Sequence, residues 1–224
     1  MSPSKRKQKA KTTYHPPTAP KWKGRDSLEL VYQLNERALT LLSSAITRGA
    51  GTLPRLAQQR EAWEALTREA ISRAARFPFV IVDIRFSNER WWQSVAANRQ
   101  EAGQEDSTHE HWPEDVTVPL VSEVLVFAWH TAKWDPRVAR LTFGMLPGVV
   151  EVIAALTPQQ LASTPLQHSE ALALRWQSDP AFWPGLLSAA RGGDEEALAD
   201  YHLHGKLLLS GALLEHSPTA RAEG

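Results

Sequence analysis

The stretch VSEVLVFAWHTAKWDPRVARLTFGMLPGVVEVIAALTPQQL, Val121–Leu161, decides the fold of this chain. Its apolar residues recur at three- and four-residue spacing, interrupted by turn-and-cap sequences, which predicts helices over about 118–132, 135–141, 147–156 and 158–163. Pro147 and Pro158 suit first-turn positions, and Thr157 suits the cap of the helix that Pro158 opens. Two later stretches continue the pattern, ALALRWQSDPAFWPGLL at Ala171–Leu187 and EEALADYHLHGKLLLSGALL at Glu195–Leu214. They predict helices over 180–190 and 194–214, separated by Gly192 and Gly193.

Working outward toward the N-terminus, Asp26 and Glu29 have capping-box spacing before LELVYQLNERALTLLSSAI. Leu28, Val31, Leu34 or Asn35, Ala38, Leu42 and Ala45 line one face of that helix, and Gly49 and Gly51 stop it. A second helix is expected from Pro54 to about Ala75, with Leu56, Trp63, Leu66 and Ile71 inward, forming an antiparallel hairpin with the first. The run FPFVIVDIRF, Phe77–Phe86, is rich in β-branched and aromatic residues and reads as a strand. A lone strand leaves its backbone unpaired, so its partner is expected near Leu172–Trp176 or across a subunit interface. Ser87 then caps a short helix carrying Trp91, Trp92 and Val95. The expected fold is mainly α: a helical bundle with one short strand or hairpin near 77–86 and a helical C-terminal module. The expected layout is a disordered basic tail (1–25), an N-terminal helical domain (26–98), an acidic loop (99–116), a helical module (117–214) and a disordered tail (215–224).

With 224 residues, 42% of them hydrophobic, the chain can bury a substantial core. It has no run of about 18 apolar residues and an N-terminus of charge and proline, which predicts a cytoplasmic protein with no membrane partner. Cysteine is absent, which excludes thiolate metal sites and disulfides within the chain. The zero net charge hides an asymmetry. Lys5, Arg6, Lys7, Lys9, Lys11, Lys21, Lys23 and Arg25 stand in the first 25 residues with no acidic group, leaving 17 basic against 25 acidic residues in the remainder. Such a cationic arm attracts phosphate backbones through counterion release without reading base sequence.

The candidate chemistry is sparse. His109, Glu110 and His111 lie close together, but no third ligand has recognisable spacing, and neither a metal nor a cofactor is expected. His202 and His204 fall on different faces of the last helix, one packed and one exposed. Asp83 and Glu89 lack the further carboxylate and lysine of a nuclease site, and Asp83 is expected to pair with Arg85 or Arg90. No nucleophile elbow, phosphate-binding glycine loop or HExxH helix is present, so no catalytic residue is assigned and the chain reads as non-enzymatic. Trp91, Trp92 and Trp129 are candidate anchors for a partner, tryptophan being favoured at interfaces.

LTFGM at Leu141–Met145, IAALTPQQL at Ile153–Leu161, LALRWQSD at Leu172–Asp179 and HLHGKLLLSGALL at His202–Leu214 together give the region from Pro119 to Leu214 a specific look. It resembles the FlhD subunit of the FlhD/FlhC flagellar transcriptional activator. That resemblance implies a dimerising helical protein, with Leu207 and Leu208 in the dimer contact. It also implies a helix-turn-helix-like C-terminal half acting on promoters with a FlhC-like partner. The candidate recognition helix, Ser178–Gly193, offers only Arg191, with Arg175 just before it, and is a poor reader of bases. Base readout is therefore left to the partner, while Arg175, Arg191, Lys206 and the basic tail contribute phosphate contacts to duplex DNA. The expected role is a transcriptional regulator or co-regulator acting through oligomerisation; the alternative is a non-enzymatic adaptor or structural protein of a mobile element or secretion system.

Overall fold

The computed structural model describes residues 24–49, 56, 58–99 and 112–215. Along these residues run α1 (Gly24–Arg48), α2 (Arg60–Glu64), α3 (Arg68–Ala74), β1 (Val82–Ile84), α4 (Glu89–Ala96), α5 (Glu114–Trp134), α6 (Pro136–Phe143), α7 (Pro147–Ala155), α8 (Pro158–Gln167), a 3-10 turn (Ser169–Ala171), β2 (Leu172–Leu174), α9 (Phe182–Gly192) and α10 (Glu195–Glu215). The protein is mainly helical, with one two-stranded antiparallel sheet among the described residues.

Helix α5 is central, because its apolar side chains are distributed around much of its circumference and demand cover on several sides. Leu120, Val121, Val124, Leu125 and Ala128 are fully buried. They meet α1, α6, α7, α8 and the 3-10 turn. This helix starts at Glu114 rather than at 118. Glu114 and Asp115, read from sequence as part of the acidic loop, occupy its first turn, where carboxylates complement the positive end of the helix. Downstream caps follow the residue pattern closely. Asp135 accepts from the Arg137 and Val138 amides, and Thr157 and Gln160 form a reciprocal capping box at α8.

The N-terminal half departs more from expectation. Helix α1 begins at Gly24 instead of Asp26, and it buries both Leu34 and Asn35. The single helix expected to run to Ala75 is broken at Ala65–Thr67 into α2 and α3. The Thr67 hydroxyl accepts from the Ala70 amide at 3.2 Å and so starts a new helix, leaving Leu66 only half-buried. Asn88, not Ser87, caps α4, its side-chain oxygen accepting from the Trp91 amide at 3.0 Å.

The strand expected over 77–86 shrinks to Val82–Ile84. It pairs antiparallel with β2, inside the stretch expected to hold its partner, in the register Val82↔Leu174, Asp83↔Ala173 and Ile84↔Leu172. Phe77–Ile81 is not strand: among the described residues its one cross-strand bond is from the Arg175 amide to the Ile81 carbonyl, and the fully buried amide of Asn35 on α1 stands where a neighbouring strand would. Asn35 Nδ2 donates to the Ala75 and Phe79 carbonyls at 3.2 and 2.9 Å, and its Oδ1 accepts from the Ile81 amide at 3.0 Å. The Val80 amide donates to the Thr142 carbonyl at 2.8 Å.

Residues 26–98 and 117–214 contribute to one continuous core. Trp63 lies 5.8 Å from Trp183, and Arg73 donates from Nε to the Ala190 carbonyl at 2.9 Å, tying α3 to the end of α9. The helix-turn-helix reading is corrected by the same packing. Between α8 and α9 the chain makes a 3-10 turn and β2, not a tight turn. Helix α9 itself buries Phe182, Trp183, Leu186, Leu187, Ala189 and Ala190, and among its side chains only Ser188 and Arg191 are exposed. A helix so enclosed has no face to lay in a major groove. Helix α10 closes the structure over α9 and the aromatic residues beneath it. Gly205 makes that approach possible, since a Cβ there would stand 3.0 Å from the rings of Phe77 and Phe79.

Replacing Asn35 with leucine keeps the volume but removes the bonds that the Asn35 amide makes with the Ile81 amide and the Phe79 carbonyl; the Ala75 carbonyl still accepts from the Phe77 amide at 2.8 Å. Asn35→Leu is expected to cost about 2–4 kcal/mol. In urea this reads as a lower midpoint with an unchanged slope; an unchanged midpoint would show that Phe77–Ile81 is held by other means.

Candidate functional site

The strongest polar constellation is structural. Arg175 follows β2, and its main-chain amide donates to the Ile81 carbonyl at 2.9 Å. Its guanidinium donates from Nε to the Val80 carbonyl at 2.9 Å, and from one terminal nitrogen to Asp83 Oδ1 at 3.0 Å and the Phe143 carbonyl at 2.6 Å. Only 12% of this side chain is exposed. The expectation of a phosphate contact at Arg175 is therefore corrected: protein acceptors hold its donors inside. Asp83 takes Arg175 as its partner rather than Arg85 or Arg90. Arg85, held at φ 48°, places its guanidinium 5.4 Å from the centre of the Trp91 ring.

The tryptophan pair expected to anchor a partner is core. Trp92 is fully buried and stacks on Phe86 at 6.1 Å, and Trp91 meets it edge-on at 4.9 Å while touching the His168 ring. Amphipathic spacing places both on the inner face of α4, which their proximity to Arg90 in sequence could not reveal. Trp129 is half-buried; its indole N–H donates to the Leu156 carbonyl at 3.0 Å, and the Lys133 ammonium sits 4.0 Å above its ring. Lys5, Arg6, Lys7, Lys9 and Lys11 lie outside the described residues, as do His109, Glu110 and His111. Among the described residues no three His, Cys, Asp or Glu side chains are grouped so as to hold a metal ion, and no single helix is long and apolar enough to cross a membrane.

The remaining sites converge on α10. Its inner face carries Leu198, Gly205 and Leu209, all buried, with Tyr201, His202 and Leu208 half-buried beside them. His202 packs edge-on to Phe77 at 4.6 Å, and its buried Nε2 makes no hydrogen bond to any described residue. Burial lowers its pKa below the ordinary value, Lys206 and Arg76 lower it further, and Glu195 opposes them. His204 is exposed, although its ring stands 5.7 Å from that of Phe182, so the two histidines differ in burial while both lie beside core aromatic rings.

The outer face presents Leu203 and Leu207, 56% and 63% exposed, one turn apart. Around them stand exposed Glu196, Ala199, Asp200, Lys206 and Ser210. Of the two leucines expected at an interface, Leu207 is free to meet another molecule, whereas Leu208 is turned partly into the core. Leu203 escaped the sequence reading. The available signal was that leucines occur on more than one face of the helix, which marks apolar surface beyond what one core contact needs. Lys206 and Arg191 are both exposed, Arg191 in the last turn of α9. A separate shallow apolar recess of about 190 Å³ lies between α1, α5 and α6, bordered by Leu28, Val31, Phe127 and Trp134.

No protein-family model matches the chain, and no curated protein and no solved structure matches it.

The His202 environment sets a pH dependence. A histidine whose folded pKa is depressed is neutral in the folded state while the unfolded chain still binds its proton. Its stabilising effect is complete above the unfolded pKa of about 6.5 and is lost as pH falls through that value toward the folded one. Urea midpoints measured from pH 8 down to pH 5 are expected to drop more steeply for the parent than for His202→Leu; parallel profiles would show that His202 is not the group responsible.

Proposed function

We propose that this protein is a non-catalytic regulator or co-regulator of transcription, working by self-association and by engaging a protein partner. In this reading the basic N-terminal segment adds sequence-independent contacts to duplex DNA. The observation that carries the reading is the pair of exposed leucines on α10, a helix whose opposite face is already committed to the core. Exposed apolar groups on successive turns, rimmed by charge, are the kind of surface that another macromolecule covers. The FlhD-like residues from Pro119 to Leu214 supply the transcriptional context and the expectation of a FlhC-like partner.

The helix read from sequence as the recognition helix has little with which to read bases: Arg175 is engaged inside, α9 is enclosed, and Arg191 is its one exposed cation. This division favours a body that binds protein and an arm that binds phosphate. The same facts favour the second reading, an adaptor with no role at DNA, if the arm serves solubility alone.

Two measurements separate these readings. Duplex binding by the full chain is expected to weaken steeply as salt rises, and deletion of residues 1–23 is expected to abolish most of it with little dependence on base sequence. Affinity capture from the native host, with nuclease treatment, is expected to retain RNA polymerase or a cysteine-rich FlhC-like protein. Recovery of envelope or secretion components, with no duplex binding, would replace the regulator by the adaptor.

A further inference from the structure

We infer that the outer face of α10 is the self-association surface, and that it meets the same face of a second copy of this chain in an antiparallel arrangement centred near Leu203. The inference rests on the self-association part of the reading above and names the surface, the occupant and the orientation.

The exposed residues Glu196, Ala199, Asp200, Leu203, Lys206, Leu207 and Ser210 recur at three- and four-residue spacing, so they form one stripe along the helix. Leu203 lies in the middle of that stripe, with the second exposed leucine, Leu207, one turn later. Small side chains, Ala199 and Ser210, stand one to two turns to either side, leaving room for a partner's leucines to approach. The stripe is long enough for several turns of helix to meet another helix, and its apolar centre is short enough that charge decides the direction of approach.

Charge is distributed unevenly along the stripe. The half preceding Leu203 carries exposed Glu196 and Asp200, and the half following it carries Lys206. A parallel pair would bring the acidic half of one copy level with the acidic half of the other, and Lys206 level with Lys206. An antiparallel pair sets each acidic half level with the partner's basic half. Opposite charge at the rim of an apolar contact fixes orientation and suppresses the alternative. The face is thus self-complementary when reversed, which a two-fold symmetric interface requires. A stripe with one charge sign throughout would instead point to an oppositely charged, unrelated partner.

The test uses the full chain in sedimentation equilibrium across the micromolar range, at low and at physiological salt. The parent is expected to dimerise. Leu203→Glu is expected to be monomeric at concentrations where the parent is not, with an unchanged thermal melt, because Leu203 touches little of its own fold. Asp200→Lys and Lys206→Asp are each expected to weaken the dimer about tenfold, as like charges then come level. Combining Asp200→Lys with Lys206→Asp is expected to restore it to within a few-fold of the parent. A dimer indifferent to Leu203→Glu overturns the surface while leaving self-association standing. A charge swap no better than its single components overturns the antiparallel arrangement. A parent that stays monomeric throughout overturns both this inference and the self-association on which it rests; duplex binding by the basic segment, measured separately, is unaffected by that outcome.

Discussion

The structure depends on satisfying the backbone of one buried, mostly irregular segment. Phe77–Phe86 runs through the core with most of its side chains enclosed, yet only Val82–Ile84 is strand. A buried peptide group without a partner costs about as much as several favourable contacts contribute, so each remaining group has to be met. Asn35 from α1 meets those on one side, and Arg175 following β2 meets the Val80 carbonyl on the other. Two residues far apart in sequence thereby fix the position of α1, the small sheet and the loop ending α6. Once these are set, Phe77 and Phe79 form the floor on which Trp176, Phe182 and α10 pack.

This arrangement removes several residues from a functional role. Arg175 resembles a surface cation in sequence, but its guanidinium bridges Asp83 and two carbonyls, where it stabilises the core. Trp91 and Trp92 are likewise internal, stacking beside Phe86. Among the described residues the exposed large apolar side chains are Val126, Trp134, Leu141, Leu166, Leu203 and Leu207, and of these Leu203 and Leu207 stand one turn apart on a single helix.

Helix α10 combines two demands that ordinarily fall on different elements. Its inner face holds the end of the fold together through Gly205, Leu209 and the His202 ring, while its outer face keeps leucines in contact with water. Protonation of His202 acts on the inner face, whereas the outer face carries Glu196, Asp200 and Lys206 around its leucines. Lys206 touches both faces electrostatically, since this exposed cation also lowers the His202 pKa.

Local chemistry makes much of the helical framework legible in the sequence. The periodicity of Val121–Leu161, Pro147 and Pro158 in first turns, the Thr157–Gln160 cap and the Gly192–Gly193 break depend on residues within a turn or two of one another, and each has its expected place. The pairing of the 77–86 region with residues near 172 was also legible, because a buried strand requires a partner and few stretches are suited to be one. Tertiary structure alone decided the rest. That Thr67 breaks a helix, that Asn35 replaces a strand, that Arg175 points inward and that Leu203 points outward all depend on what stands across the core. The reason is physical: caps and periodicity are short-range properties of a segment, whereas burial, hydrogen-bond satisfaction and exposure are properties of a pair of segments, fixed only when the two meet.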